Sequence, residues 1–427
     1  MLPHMVSVAV IGSGISGLMC AQTILRQSPG VTVAVYEWGR GPGGRTARRR
    51  IAINETCSVS FDHAAPFFAA STGAFSDSVL KDWIDRGIAA RWNGHSAKFV
   101  REGEPTPASR ADDYARFTGV PTMHSICRAL SEEVVSAGGE MLFGRHVLSA
   151  NFAGDGEGRW RVVANNRFAE TGLQREERNF DAIVLSDKLL VLPNQYAVLS
   201  KSDVGALALP QLASEARVVL LVAFKHTKVE ESCRWDILEL QDAETGRSSE
   251  QCAVRLIVHE STKPQRAASN EGGLDLWVVH SGAEYAARQV RPEEDGVVPG
   301  LLDENSVKEE MLAEFLRVLR NSMSARAASG PASETDLEVA HASVMVWDHA
   351  QPRAADRLPG THLVDAPRRA GVCGDFFGKG AWKKEGERKG GGEASGVEAA
   401  ALSGVACGSA LAPTLRDLMD QRAATKN

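Results

Sequence analysis

The chain has 427 residues, of which 43% are hydrophobic and 24% charged, and its formal net charge is −6. At about 150 residues per domain, this length predicts two domains or one large domain, and the composition excludes a disordered, collagen-like or purely coiled-coil chain. The acidic balance disfavours nucleic-acid binding, because contact with phosphates requires a basic surface.

The first 37 residues predict one β-α-β unit. Residues 6–11 are mostly β-branched, as in a buried strand, and residues 15–27 carry apolar side chains at helical spacing. A Pro-Gly pair at residues 29–30 ends the helix, and residues 31–36 predict a second strand. Two strands joined in this way lie parallel, with a right-handed crossover between them.

Farther along the chain, the apolar pattern predicts further helices and many short strands. The predicted helices cover residues 75–85, 123–137, 306–320 and 396–411, and a capping box of Ser306 and Glu309 begins the third. The predicted strands cover residues 140–143, 146–150, 160–164, 180–186, 217–224, 235–240, 252–259, 274–280, 342–347, 361–364 and 372–375. Residues 38–70, 242–250 and 260–273 predict loops, residues 322–334 a linker, and residues 379–395 a mobile insertion.

A G-x-G-x-x-G motif at residues 12–17 lies between the first strand and its helix. The first glycine permits the tight turn, the second lets a pyrophosphate approach, and the third lets helix and strand pack closely. Glu37 closes the second strand, where a carboxylate binds ribose hydroxyls and repels a 2′-phosphate. This unit predicts dinucleotide binding and leaves open whether the nucleotide is NAD or FAD.

A second glycine-rich segment, residues 40–46, follows Glu37 and keeps the backbone bare beside the nucleotide. Within it, Arg45 is expected to neutralise a pyrophosphate or to hold the ribityl side of a flavin. The basic run at residues 48–50 is expected to be a solvated face.

The seven cysteines are widely spaced, and none forms a C-x-x-C pair. They predict small buried side chains in a reducing compartment, the cytoplasm or an organelle lumen or stroma, and no metal site or redox dithiol. No apolar run approaches the roughly 20 residues that a membrane span needs. Because the chain opens directly into a strand, neither a signal peptide nor a transit peptide is expected.

Taken together with later segments, these motifs resemble the flavin-containing amine-oxidase superfamily, and within it the renalase-like NAD/FAD-dependent oxidoreductases. The segments that carry the resemblance are Phe-Asp-His-Ala-Ala-Pro-Phe-Phe at residues 61–68, the Trp83 and Trp92 pair, and residues 119–123, 347–352, 373–375 and 396–399. They occur in the family's order between about residue 6 and residue 410. The chain departs from the family's pattern at Ala64, Pro66, Thr122, His349 and the 379–395 insertion.

The resemblance implies an α/β fold in which a Rossmann-type, glutathione-reductase-like FAD-binding domain is interleaved with an α+β substrate domain. The FAD-binding domain would take residues 1–72, 118–200 and 340–427, and the substrate domain residues 73–117 and 201–339. FAD would bind non-covalently. Its expected contacts are Gly12, Ser13, Gly14, Ile15, Ser16, Gly17, Glu37, Trp38, Arg40, Gly43, Gly44, Arg45, Thr46, Ala64, Val147, Gly374, Asp375 and Val397.

No catalytic triad, metal cluster or carboxylate pair stands out, so the cofactor is expected to carry the chemistry and no catalytic residue is assigned. The expected lining of the substrate cavity is His63, Phe67, Trp347 and His349. Phe68 is a weaker candidate, because neighbouring residues of an extended segment point in opposite directions. Lys188 is a weak candidate for a lysine beside the flavin, and a surface position is favoured for it.

The predicted function is oxidation of a small reduced substrate, of dihydronicotinamide or amine type, by hydride transfer to flavin N5. The electrons would pass to O2 or another acceptor, and NAD(P)H is a candidate partner. Two alternatives stay open: an NAD(P)-linked reductase that uses the same β-α-β unit, and a flavin-binding protein without turnover.

Overall fold

The computed structural model describes residues 5–100, 106–107, 115–153, 158–169, 172, 174–191, 198–199, 203, 207–210, 212–225, 235–241, 250–270, 272–291, 300–324, 337–353, 356–378 and 396–425. Within these ranges, no helix is both long enough and apolar enough to cross a membrane. The predicted insertion at 379–395, the loop at 242–249, the linker from residue 325 onward and Cys233 lie outside the described residues.

Strands outnumber helices in the described part of the chain. In chain order, the strands are β1 Ser7–Ile11, β2 Thr32–Glu37, β3 Arg48–Ala52, β4 Ser58–Asp62, β5 Phe68–Ala69, β6 Ala89–Trp92, β7 Ser96–Val100, β8 Thr106–Pro107, β9 Arg116–Gly119, β10 Glu140–Phe143, β11 Arg145–Ala153, β12 Arg159–Asn166, β13 Gln174–Phe180, β14 Ala182–Leu185, β15 Ser214–Phe224, β16 Ile237–Gln241, β17 Leu256–His259, β18 Asp275–His280, β19 Val339–Pro352, β20 Leu363–Asp365 and β21 Ala370–Val372. The α-helices are α1 Ile15–Gln27, α2 Lys81–Asp85, α3 His124–Ser136, α4 Ala283–Gln289, α5 Glu304–Ser324 and α6 Gly396–Ala424. A π-helical segment, Phe75–Leu80, leads into α2, and short 3-10 helices cover Gly44–Thr46, Lys188–Leu190, Glu260–Thr262 and Arg266–Ser269.

The predicted β-α-β unit is confirmed and forms the centre of a six-stranded sheet. The strand order is β10-β2-β1-β14-β21-β20, and only β20 runs antiparallel to its neighbour. Alternate residues of β1 serve different layers, since side chains of a strand alternate between the two faces. Val8 and Val10 pack with helices α1, α3 and α6, whereas Ala9 and Ile11 pack towards the three-stranded sheet β11-β12-β13. The chain therefore has the expected α/β fold with a Rossmann-like domain.

A seven-stranded sheet, of order β19-β15-β18-β17-β16-β7-β8, forms the second large layer among the described residues. It is antiparallel except where β16 pairs with β7. Strand β15 is buried on both faces. Its even-numbered side chains, such as Leu220, pack against helix α5, and the odd-numbered ones, such as Val219 and Leu221, face the hairpin β3-β4 together with Phe67 and Trp92.

Several predicted boundaries are wrong. Ser306 does not cap α5, because the helix begins at Glu304 and the Ser306 amide donates to Oδ1 of Asp303 at 3.0 Å. The C-terminal helix continues past residue 411 to Ala424, and β19 is more than twice as long as predicted. The predicted loop at 38–70 contains the hairpin β3-β4, whose outer strand is an arginine-rich, exposed segment without an apolar signal.

The sheets also indicate where the chain divides. Strand β19, which includes residues predicted for the FAD-binding domain, pairs with β15 in the seven-stranded sheet. Conversely Phe75 and Trp83, predicted for the substrate domain, pack into the helical core around α1. We propose that the two domains divide along these sheets, with β19 in the substrate domain and the segment from Phe75 to Trp83 in the nucleotide domain.

Candidate functional site

The turn between β1 and α1 has the steric requirements expected of its glycines. Gly12 has a φ of +102°, and its amide donates to the Tyr36 carbonyl at 2.8 Å. A Cβ on Gly12 would lie 2.3 Å from Ser186 Oγ, and one on Gly17 would lie 2.1 Å from the Gly12 carbonyl oxygen. Both positions therefore exclude any side chain, because the added atom would clash with Ser186 or with the backbone of Gly12.

Gly14 differs from its two partners, because a Cβ there would meet no atom within 4 Å. Helix α1 begins immediately after it, with no side-chain cap and no acidic residue in its first turn. Ile15, Ser16 and Gly17 are nevertheless buried. An uncapped helix N-terminus carries partial positive charge and free amide donors, so the open side of this turn fits a phosphate group.

The Glu37 carboxylate is fixed at the end of β2. Its Oε2 accepts hydrogen bonds from the Ser13 amide at 3.1 Å and the Ser13 hydroxyl at 2.6 Å, and its Oε1 accepts one from the Gly39 amide at 2.6 Å. An ionised carboxylate has about four acceptor positions. Capacity therefore remains for a ribose hydroxyl beside the turn.

The second glycine segment packs directly on the first. The Gly43 amide donates to the Ser13 carbonyl at 3.1 Å, and a Cβ on Gly44, whose φ is +52°, would lie 3.8 Å from the Gly14 Cα. The Thr46 hydroxyl donates to the Gly43 carbonyl at 2.7 Å and closes the turn. The two segments thus form one bare stretch of backbone, as close approach of a nucleotide requires.

Arg45 forms a bidentate ion pair with Asp375. The distances are 2.5 Å from Nη1 to Oδ2 and 2.8 Å from Nη2 to Oδ1, and Nη1 also donates to the Ala350 carbonyl at 3.2 Å. Burial acts to lower the pKa of Arg45, but the Asp375 carboxylate outweighs it, so the pKa is raised. Asp375 therefore compensates the Arg45 charge inside the protein.

Helix α6 connects the C-terminal residues to this region. Gly396 begins the helix beside Asp375, and Val397 is buried. Glu398, which is fully buried, accepts four hydrogen bonds of 2.6–2.9 Å from the amides and hydroxyls of Ser71 and Thr72. Sequence reasoning did not assign this anchoring role, although a glutamate in an apolar helical segment was a usable signal.

Of the other expected cofactor residues, Trp38 directly follows β2 and Val147 lies in β11. Trp38 is exposed and stacks on His146, with ring centroids 4.5 Å apart, and Arg167 lies 6.0 Å above the Trp38 ring. Val147 follows His146 and is buried, whereas Arg40 is exposed and Ala64 is half-buried. The Trp38–His146 stack therefore lies beside Glu37, where β2 ends.

The expected cavity residues separate into two groups. His63 is buried, with its ring 5.3 Å from that of Trp347, and Phe67 lies 5.9 Å from Trp92 on the same side. Phe68 points the opposite way, into the helical core. His349 is half-buried two residues after Trp347 in β19, and its Nε2 lies 3.7 Å from Asp348 Oδ2. Lys188 begins a short 3-10 helix, and its side chain lies outside what the structure describes.

Sequence reasoning missed a buried group of four charges behind His63. Asp62 Oδ2 lies 3.2 Å from Lys263 Nζ and also contacts Arg266, and Glu260 contacts the same two cations. Burial acts to raise the pKa of Asp62, but Arg266 and Lys263 outweigh it and lower the pKa; burial dominates for Glu260, whose pKa is raised. Three charged residues, Glu260, Lys263 and Arg266, lie within residues 260–266, and this clustering is the sequence feature that could have indicated the group. The polar pattern instead predicts a loop for this segment.

His280 was also missed. It ends β18 opposite Val219 and is buried on the face of the sheet that looks towards His63. Burial lowers the pKa of His63 to about 4 and that of His280 to about 3, and the charges of Arg217 and Arg255 add to the shift at His280. Both imidazoles are therefore neutral at neutral pH.

Three cysteines meet although their positions in the sequence are far apart. The sulfur atoms of Cys20, Cys373 and Cys407 all lie within 4.8 Å of one another, and all three residues are buried. They come from α1, the residue after β21, and α6. Spacing rules for metal motifs could not have found this cluster, because each cysteine lies on a different element.

Comparison with known proteins agrees with this fold. Residues 10–83 match the family model of the NAD(P)-binding Rossmann-like domain. Three solved structures are similar over almost the whole chain. A putative protoporphyrinogen oxidase from an Exiguobacterium species has a TM-score of 0.55 and 10% sequence identity, and the match covers 97% of this chain and 99% of that chain. An oxidoreductase from Methanosarcina mazei has a TM-score of 0.52 and 14% identity, over 92% of this chain and 98% of that chain. The p-nitrophenol 4-monooxygenase from Pseudomonas putida has a TM-score of 0.50 and 15% identity, over 98% of this chain and 81% of that chain. At these identities, the similarity shows a shared fold.

Proposed function

We propose that the protein is an FAD-dependent oxidoreductase that takes a hydride from a small reduced substrate. The observation that carries the proposal is the contact between the two glycine segments, at residues 12–17 and 43–46, together with the Arg45–Asp375 pair beside them. A simple NAD site needs the first glycine segment but not the second or the residues around Asp375. Bound FAD would supply the redox chemistry, by accepting the hydride and passing electrons to O2 or another acceptor.

The residues present fit this cofactor. The uncapped start of α1 would hold the pyrophosphate, and Glu37 would bind the ribose. The Arg45–Asp375 pair would stiffen the backbone next to the flavin, and the N-terminus of α6, which begins at Gly396 beside Asp375, would supply positive partial charge near the ring. His63, Phe67 and Trp347 would exclude water from the reacting face.

The substrate class rests on the resemblance to renalase-like proteins. That resemblance implies a dihydronicotinamide, with NAD(P)H as a candidate partner, and the wider superfamily implies an amine. The similarity of fold to proteins named as an oxidoreductase and an oxidase supports redox chemistry in general. An NAD(P)-linked reductase and a flavin-binding protein without turnover are the other outcomes that experiment must distinguish.

The first test is reconstitution with FAD, NAD or NADP, measured by equilibrium binding and by the change in melting temperature. We expect FAD to bind at one equivalent and to raise the melting temperature, and the Gly14→Ala variant to bind FAD more weakly while remaining folded. Gly73→Ala is a matched control, because its Cβ would meet only the flexible Asp77 carboxylate, at 3.3 Å, and Gly73 lies outside both glycine segments. Stabilisation by NAD alone would favour the reductase.

The second test is an anaerobic screen of flavin reduction with amines, NADH, NADPH and their isomers. We expect at least one reduced compound to bleach the flavin and O2 to restore its absorbance. A protein that binds FAD stoichiometrically but is bleached by none of these compounds would instead be a flavin-binding protein without turnover.

A further inference from the structure

We propose that Cys20, Cys407, Cys373 and His362 form a binding site for one zinc-type metal ion. The ion would lie where helices α1 and α6 pack on strand β21, on the helical side of the six-stranded sheet. Three cysteines and one histidine fill the four positions of a tetrahedral structural zinc site, so the ion would hold these elements together. The proposal is independent of the proposed function, because none of the four residues is an expected flavin contact.

The first observation is the geometry of the three sulfur atoms. They all lie within 4.8 Å of one another, and the three cysteines are fully buried. Three atoms at such distances always share a point within about 2.8 Å of each of them, and small side-chain shifts bring this to the zinc–sulfur distance of about 2.3 Å. The three side chains therefore already converge on one position.

Close packing of three elements builds this cluster. Cys20 lies in α1, Cys407 lies in α6, and Cys373 directly follows β21. The two helices approach each other at Gly408, where a Cβ would lie 2.8 Å from the Cys20 carbonyl oxygen. Strand β21 approaches α6 at Gly371, where a Cβ would lie 2.7 Å from the Cys407 sulfur. Glycine at both positions therefore leaves the space in which the sulfur atoms meet.

The second observation is a histidine on the same side of the sheet. In the antiparallel pair β20-β21, Leu363 lies opposite Val372, and one more residue of this register places His362 opposite Cys373. Leu363 and Val372 pack towards the three-stranded sheet, so their neighbours in sequence face the helices, since side chains alternate along a strand. Val364, two residues after His362, accordingly packs against the helical core. Opposite residues on one face have Cβ atoms about 4.5–5.5 Å apart.

The other contacts of His362 suit a metal ligand. Its Nδ1 lies 2.8 Å from the Thr361 hydroxyl oxygen, and such a hydrogen bond orients metal-binding imidazoles and directs Nε2 to the ion. Burial lowers the pKa of His362, and the charge of Cys373 opposes this shift, so the two side chains lie near each other. Among the described residues, the compact group consists of the three sulfur atoms, so the His362 ring must turn towards them to complete the site.

The donor atoms determine the kind of ion. Thiolates are soft ligands that bind zinc-type ions, whereas magnesium and calcium require oxygen ligands. Binding releases the three thiol protons, so three thiolates and a neutral imidazole hold the dication with one net negative charge. Because the sulfur atoms are sealed from solvent, we expect the ion to enter while the chain folds, as in other proteins whose metal binding is coupled to folding.

The test measures metal in the full-length protein, both as purified from zinc-supplemented cells and after refolding with Zn²⁺. Tris(carboxyethyl)phosphine keeps the thiols reduced in both preparations. We expect one zinc per chain by elemental analysis and a higher melting temperature than after refolding with a chelator. Refolding with Co²⁺ should give the sulfur-to-cobalt charge-transfer absorption and the intense visible bands of a tetrahedral thiolate site. Folded protein that holds well under one zinc per chain in both preparations would overturn the proposal.

Substitutions test each ligand. Cys20→Ala and Cys407→Ala should each weaken zinc binding about a hundredfold or more, and His362→Ala about tenfold, with the sulfur-to-cobalt absorption retained. Cys127→Ala is the matched control, because it removes a fully buried thiol of α3 that is not part of the cluster, and it should keep one zinc per chain.

The outcomes separate the site from ordinary core packing. Full zinc retention in both cysteine variants, or an equal loss in Cys127→Ala, would overturn the proposal. If a cysteine variant does not fold, the zinc content of the unmodified protein and of His362→Ala, changed at a half-buried position, still decides the question. Zinc binding that depends on the cysteines but is unchanged in His362→Ala would refute the four-ligand site.

Discussion

Arg45 and Asp375 form a bidentate ion pair, although their positions differ by 330 in the sequence. The pair joins the second glycine segment to the residues that follow β21, and Ala350 of the seven-stranded sheet adds a third contact. The Asp375 side chain is only 4% exposed, so its charge has little access to water. This ion pair therefore links a segment near the N-terminus to a segment near the C-terminus at the candidate cofactor site.

We expect Arg45→Met to lower the free energy of unfolding by about 2 kcal/mol, because a buried carboxylate loses its bidentate partner. The figure is smaller than for a fully buried pair, since Arg45 is 30% exposed. Urea denaturation measures the loss. Lys81→Met is the matched control: it breaks an ion pair of the same 2.5 Å length with Asp85, but both partners are exposed, so the loss should be much smaller than for Arg45→Met. Equal losses in the two variants would show that the Arg45 pair contributes no more than a surface pair.

We expect alanine substitutions at Gly14 and Gly17 to distinguish an effect on dinucleotide binding from an effect on stability. Gly17→Ala places a methyl group 2.1 Å from the Gly12 carbonyl oxygen and should cost about 3 kcal/mol or more. Gly14→Ala meets no atom within 4 Å and should leave the melting temperature unchanged while weakening dinucleotide binding. Thermal unfolding and nucleotide titration of both variants test this difference. A strongly destabilised Gly14→Ala would mean that the open side of the turn has a structural role.

Gly404 should be irreplaceable in α6. A Cβ there would lie 2.2 Å from the Ser16 carbonyl oxygen of α1, so Gly404→Ala should lose about 2 kcal/mol or more, although alanine favours an exposed helix by about 1 kcal/mol. Ala410→Leu adds more bulk at an exposed position of the same helix and should be nearly neutral. Chemical denaturation of the two variants provides the comparison, and a stabilised Gly404→Ala would contradict the close contact between the helices.

We expect the stability of the buried group formed by Asp62, Glu260, Lys263 and Arg266 to depend on the balance of its positive and negative charges. Lys263→Met leaves Asp62 and Glu260 with Arg266 as the remaining cation and should cost about 3 kcal/mol or more. Adding Glu260→Gln removes one negative charge, so the double variant should be more stable than Lys263→Met. Denaturation of the single and double variants forms a double-mutant cycle. Additive losses would show that charge balance is not what holds this group together.

The neutral buried histidines predict that acid destabilises the protein. Their pKa values, about 4 for His63 and about 3 for His280, lie below the ~6.5 of an unfolded chain. As pH falls below about 6.5, the unfolded state binds protons that the folded state does not, so stability falls. By about pH 5 each histidine accounts for about 2 kcal/mol of the loss. Urea midpoints at several pH values should show a shallower decline for His280→Gln than for the unmodified protein, and an equally steep decline in both would contradict the prediction.

Part of this organisation could be predicted from short segments alone. The unit β1-α1-β2 followed from apolar periodicity and the spacing of Gly12, Gly14 and Gly17. The hairpin β3-β4 did not, because its outer strand is exposed and carries arginines at residues 48–50, so neither burial nor alternation marks it. The extra length of β19 was likewise hidden, since most of its side chains are only half-buried and give no period.

The sequence by itself determined the β-α-β unit, because its apolar periodicity, its glycine spacing and the Gly12–Tyr36 hydrogen bond all lie within the first 37 residues. Only the tertiary structure decided which distant side chains meet: Arg45 with Asp375, Glu398 with Ser71, and His63 with Trp347. The periodicity of apolar residues indicates which face of a helix or strand is buried. It does not indicate which other helix or strand packs against that face. The partners of a buried charge or a buried thiol are set by that packing.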